Sequence, residues 1–106
     1  GTNARRVLVR AVGPTLSGFG VGGVLADPVL TVFRGAATFA ANDNWQDQVN
    51  PAAVATAALS AGAFALPAGS RDSALVLTLE PGAYTLRVAG AGGTSGVALV
   101  EVYALP

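Results

Sequence analysis

Short apolar runs separated by glycine, proline or polar clusters recur along the chain, and most alternate or are rich in β-branched residues, the signature of strands. Residues 6–12 (RVLVRAV) predict a first strand, stopped where Gly13 adds freedom and Pro14 removes an N–H. Residues 15–26 carry Gly18, Gly20, Gly22 and Gly23, so an Ω-type loop is expected, pinned to a core by Leu16, Phe19, Val21 and Leu25. Asp27-Pro28 opens a second strand at 29–33 (VLTVF). Residues 34–37 turn it into a third at 38–42 (TFAAN), which predicts a hairpin.

The pattern changes once. The polar stretch 42–50 (NDNWQDQVN) leads into 51–60 (PAAVATAALS), where Asn50 can cap a helix and Pro51 takes its first position. Short and alanine-rich, this helix is expected to be held by packing through Val54 and Leu59 and to end at Gly62. Beyond a connector containing Pro67, residues 73–79 (SALVLTL) predict a fourth strand, and Glu80-Pro81-Gly82-Ala83 a type II turn closing a second hairpin. Residues 84–89 place Tyr84, Leu86 and Val88 on one face and Thr85, Arg87 and Ala89 on the other. A flexible loop at 90–96 precedes the last strand, 97–103 (VALVEVY). No repeat of fixed period is present. Six short strands with one helix at about 51–60 predict an all-β fold, a two-layer antiparallel β-sandwich of jelly-roll-like character.

Composition narrows the class. At 106 residues there is room for one domain, so 1–106 reads as a single module. Apolar residues make up 52% and charged residues 11%, and the formal net charge is zero. No basic surface is available for nucleic acid or anionic lipid, and little self-repulsion keeps copies apart, so self-association is expected. Without Cys there are no disulfides, and no apolar stretch reaches the ~20 residues of a membrane helix, so membrane insertion is not expected. Without an initiator Met, the chain is expected to be a processed product or a part of something longer.

Candidate chemistry is sparse. With no His, Cys or Lys, a serine such as Ser17, Ser60, Ser70, Ser73 or Ser95 has no usual base, which argues against a hydrolase. A carboxylate pair from Asp27, Asp43, Asp47, Asp72, Glu80 and Glu101 would need a cleft that so small a sandwich hardly accommodates. The chain is therefore expected not to be an enzyme. Residues 18–23 (GFGVGG) have a dinucleotide-loop look, but no helix follows. In 42–47, Asp43 and Asp47 are candidate calcium ligands, and Asn42, Asn44, Trp45 and Gln46 are candidates either for a ligand, a sugar ring on Trp45 included, or for turns and packing. Arg71-Asp72 and Arg5-Arg6 read as surface or turn ion-pair groups, with Arg5 and Arg6 also able to meet Glu101 or Glu80 of a neighbouring copy.

From Arg6 to Tyr103, the run RVLVRAVGPTL, GFGV, LADPVLTVF, ANDNW, SRDSALVLTLEPGAYTLRVAG and TSGVALVEVY resembles a repeat domain of large secreted proteins from environmental bacteria. The second half is also similar to the bacterial pre-peptidase C-terminal domain, a sandwich that accompanies secreted enzymes without doing their chemistry. The resemblance implies an extracellular or cell-surface setting and a further apolar strand before Gly1, which a preceding segment or a neighbouring copy would supply. The expected function is thus a structural module that self-associates into a filament or surface layer by edge-strand pairing, with copies of itself or adjacent repeats as partners. Arg5, Arg6, Val7, Val9, Val100 and Val102 are its candidate assembly residues. The alternative is an accessory module binding calcium or extracellular polysaccharide.

Overall fold

Alternation and turn chemistry give six strands: β1 (Arg5–Val12), β2 (Pro28–Arg34), β3 (Ala37–Asn42), β4 (Ser73–Leu79), β5 (Tyr84–Gly90) and β6 (Leu99–Ala104). One helix, α1 (Pro51–Ala61), lies between β3 and β4. The structure is a computed structural model and describes residues 4–106. The strands form two three-stranded antiparallel sheets, ordered β4-β1-β6 and β3-β2-β5. The fold is an all-β two-sheet sandwich with one short helix. The strand expected before Gly1 lies outside the described residues.

The first strand explains the layering. Val7, Val9 and Ala11 face the second sheet and pack with Leu30, Val32 and Leu75, while Leu8 and Val12 face the other way into a cluster with Trp45, Val54, Ala57, Ala58 and Leu66. A strand buried on both faces needs a near-continuous apolar run, which β1 supplies. The helix therefore covers the outer face of the β4-β1-β6 sheet. Asn50 caps it, its side chain accepting from Ala53 N at 3.2 Å, and Gly62 closes it in the left-handed conformation at φ 72°. Val54, Ala57 and Ala58 are its buried residues; Leu59, expected to pack, is 83% exposed.

Two further expectations change. Residues 80–83 do not close a hairpin: β4 pairs with β1 and β5 with β2, so the turn carries the chain from one sheet to the other. Gly82 has φ 156°, away from the value near +80° of a type II turn. The crossover is fastened by Tyr84 Oη donating to Glu80 O (2.8 Å) and Arg34 Nη2 to Pro81 O (3.2 Å). It puts Leu75 and Leu77 in one sheet and Leu86 and Val88 in the other, all belonging to the same inter-sheet apolar cluster. The last strand begins at Leu99 because Val97 is drawn into a parallel bridge with Val24, donating to Gly23 O (2.9 Å) and accepting from Leu25 N (2.8 Å).

Asp72 is not a surface group. It is fully buried, and Arg71, 68% exposed, points to Asp27 instead, at 4.0 Å. The Asp72 carboxylate accepts from Gly13 N (2.8 Å), Thr15 N (3.3 Å), Ser70 Oγ (2.7 Å) and Thr15 Oγ1, and its carbonyl accepts from Trp45 N (2.8 Å). Donors from the exit of β1, the approach to β4 and the polar loop thus converge on one residue. Gly13 is required there, since a Cβ would collide with the Leu25 carbonyl. Replacing Asp72 with Ala should cost about 3 kcal/mol or more by stranding buried donors, and Asn should cost less because it keeps one acceptor. Urea unfolding of both variants checks this; an Ala variant as stable as the parent would contradict it.

Candidate assembly edge

The polar loop is folded inward on itself. Asn42, at the end of β3, is buried, donates from Nδ2 to Asn44 O (3.0 Å) and accepts at Oδ1 from Ala74 N (3.0 Å). Trp45 is 7% exposed, and its indole N–H donates to Pro67 O at 3.0 Å, so the ring is a core element with its polar edge satisfied. Gln46 Oε1 accepts from Gly69 N, and Asn44 Nδ2 donates to Asp47 Oδ2 at 3.3 Å. Asp43 and Asp47 are both exposed, and among the described residues no three His, Cys, Asp or Glu side chains converge as a metal-binding group. The nearest partner of Asp43 is Asp27, which has a buried Oδ1 without a donor. A hydrogen bond with Asp27 raises the Asp43 carboxyl above its ordinary range, helped by partial burial and by the charges of Asp27 and Asp47, with Arg71 opposing.

A second polar group, not anticipated, sits under the helix-side loops. Arg10 is fully buried in the middle of β1. Its Nε and Nη2 donate to Glu101 Oε1 at 2.9 and 2.7 Å, its Nη1 donates to Phe64 O at 2.6 Å, and the guanidinium lies 4.4 Å from the Phe64 ring centroid. The pair is cross-strand, since Arg10 is directly opposite Glu101 in the β1–β6 register. Tyr103 Oη donates to Glu101 Oε2, and that bond, followed by burial and the Glu101 charge, raises the Tyr103 hydroxyl above its ordinary value. Glu101 is thus fully committed within its own chain and is not available to Arg5 or Arg6 of another copy. Those two arginines are exposed at the start of β1.

Four strands lie at sheet edges, and three are guarded. On β4, Ala74 N is taken by Asn42 Oδ1 and Ala74 O accepts from Gln48 Nε2 at 3.0 Å, so side chains plug the edge at that residue. β3 is interrupted at Phe39, where the register with β2 shifts between Val32 and Phe33. β5 carries exposed Arg87 at its centre. Bulges, charges and covers of this kind are what keep edges from pairing with other chains. Among the described residues β6 has none of them: its one charge is neutralised by Arg10, and it contains no proline or bulge.

The side chains of β6 are apolar where they are exposed. Val100 and Val102 lie opposite Ala11 and Val9, so they share the face that looks toward the second sheet. They are 45% and 57% exposed, because that sheet ends at β5 and does not extend over them. The sandwich is closed on one side by the Asn42 and Ser73 contacts between β3 and β4 and open on the other, between β5 and β6. Depressions of 440 Å³ at Val7, Leu79 and Tyr84 and of 490 Å³ at Leu25, Val88 and Gly96 adjoin the two ends of β5. Val7 and Val9, expected at an open edge, are instead buried on the central strand, paired on both sides. Comparison with protein-family models, curated proteins and solved structures finds no match.

Two measurements check this electrostatic picture. Glu101→Leu strands the buried Arg10 charge and should cost about 3–5 kcal/mol, whereas adding Arg10→Met should restore most of it, as apolar replacements of buried pairs do. Additive losses in urea unfolding would contradict the pairing. Because the folded Asp43 carboxyl is raised above 3.8, its favourable contact with Asp27 is fully present below that pH and is lost as pH rises through the raised value. Asp43→Asn, which keeps a donor at every pH, should flatten that fall and stabilise the neutral protein by less than about 1 kcal/mol; an unchanged pH slope would contradict it.

Proposed function

We propose that the chain is a non-catalytic structural module of an extracellular or cell-surface assembly, joined to copies of itself through the β6 edge. The observation that carries this reading is the contrast among the four edges. Three are plugged, bulged or charged, while β6 presents a backbone edge without a partner strand among the described residues and two exposed valines toward the open side of the sandwich. Such an edge is a template for a strand from another chain, with main-chain bonds supplying affinity and alternate side chains supplying fit.

Other features support the same reading. Zero net charge leaves little long-range repulsion between copies. The chain lacks His, Cys and Lys, and its best-buried polar groups, Asp72 and Arg10, are saturated by structural bonds rather than turned toward a cleft. The resemblance to a repeat domain of large secreted bacterial proteins is the basis for the extracellular setting, in which a filament or surface layer of such modules has an evident use.

Sedimentation velocity over a range of concentrations tests the proposal. The parent chain should form a concentration-dependent oligomer, and Val100→Lys/Val102→Lys should remain a monomer with unchanged far-ultraviolet circular dichroism, since both side chains are already exposed. A parent that stays monomeric at high concentration, or a lysine variant that associates equally well, would contradict it.

A further inference from the structure

The few charges of this chain are sorted by position. β1 runs from Arg5 at one end of the sandwich to Val12 at the other, and the registers place Leu79, Tyr84 and Arg34 at the Arg5 end. Arg5, Arg6 and Arg34 therefore gather there with Glu80 as their one acidic neighbour, and all four are exposed. At the opposite end, Asp27 precedes Pro28, Asp43 follows Asn42, and Asp47 is close by, with Arg71 as the one basic neighbour. Of the remainder, Arg10 and Glu101 neutralise each other, Asp72 is buried, and Arg87 alone stands on a side. A molecule without net charge is thus basic at one end of its strands and acidic at the other.

This polarity decides how two β6 edges meet. Parallel pairing sets the arginines of one copy beside those of the other and the aspartates beside the aspartates. Antiparallel pairing sets the basic end of each copy beside the acidic end of its partner, twice, and it is also the more stable ladder per residue. Complementary charges of this kind act mainly on orientation and encounter rate rather than on raw affinity.

We propose that the occupant of the β6 edge is the β6 strand of a second copy, in antiparallel orientation about a twofold axis, extending β4-β1-β6 into a continuous six-stranded sheet. This rests on the self-association reading above and adds its geometry. Val100 and Val102 of the two copies then form one apolar strip on the inter-sheet side, flanked by the two β5 edges. A twofold contact closes on itself, so the pair is the building unit, and any filament or layer joins such pairs through another surface.

The cysteine-free chain permits a direct test. Ala98→Cys, just before β6, and Ala104→Cys, at its end, place single thiols an even number of residues apart and so on one face of the strand, both at solvent-accessible positions. Treated with a short bismaleimide, an equimolar mixture should yield the Ala98→Cys to Ala104→Cys adduct, with little crosslinking of either variant to itself. Self-crosslinking of each variant without the mixed adduct would mean parallel pairing and would overturn the inference while leaving self-association intact. No crosslinking in a parent that still oligomerises would remove β6 as the interface, and a monomeric parent would overturn both readings. As a second readout, Arg5→Glu/Arg6→Glu should weaken the dimer about tenfold at low salt, and adding Asp43→Arg/Asp47→Arg to the same chain should recover it. Loss without recovery would contradict the charge assignment.

Discussion

The buried ion pair between Arg10 and Glu101 is the contact on which the arrangement turns. It crosses from the central strand to the last one, with two bonds to one carboxylate oxygen, a third to the Phe64 carbonyl, and Tyr103 completing the other oxygen. A buried pair of this sort adds little net stability over apolar substitutes, but an unmatched member is costly, so it works as a register key. Shifting β6 by one residue would bury Arg10 without its acceptor and turn every β6 side chain to the other face. The same bonds remove the only charge on β6 from the electrostatics of its edge. One interaction therefore fixes the strand and leaves it unguarded.

Asp72 plays the matching role at the acidic end. Its carboxylate gathers donors from chain segments nearly sixty residues apart and ties the exit of β1 to the entrance of β4, while Asn42 and Gln48 fill the β4 edge beside it. The β3–β4 side of the sandwich is consequently sealed by polar bonds. Nothing equivalent spans β5 and β6 among the described residues, where the inter-sheet surface ends in Val100 and Val102. Closed on one side and open on the other, the sandwich has a single direction in which its sheets can be continued.

Much of the fold was legible because local chemistry governs it. Period-two alternation marks the strands, and Asn50, Pro51 and Gly62 bound the helix. Pairing was less so. Pro81-Gly82 reads as a hairpin turn, yet the same residues bridge the gap of about 10 Å between facing sheets once β4 is claimed by β1. The position of β1 was also hidden, since a strand with apolar residues on both faces reads the same at an edge or at the centre. Asp72 carried no signal, its donors being so remote in sequence. Arg10 and Glu101 did leave one: Arg10 is the one charge within the apolar run 7–12 and Glu101 the one charge of β6, opposite in sign, which is how a cross-strand pair looks before its register is known.

The open edge of β6 is the central claim, and amide hydrogen exchange tests it most directly. The β6 amides that point away from β1 have no partner among the described residues, so their protection should rise with protein concentration, while Ala74 N on the β4 edge, already bonded to Asn42, should exchange at a constant rate. Exchange from β6 that is independent of concentration, or protection that grows on another edge instead, would contradict the account.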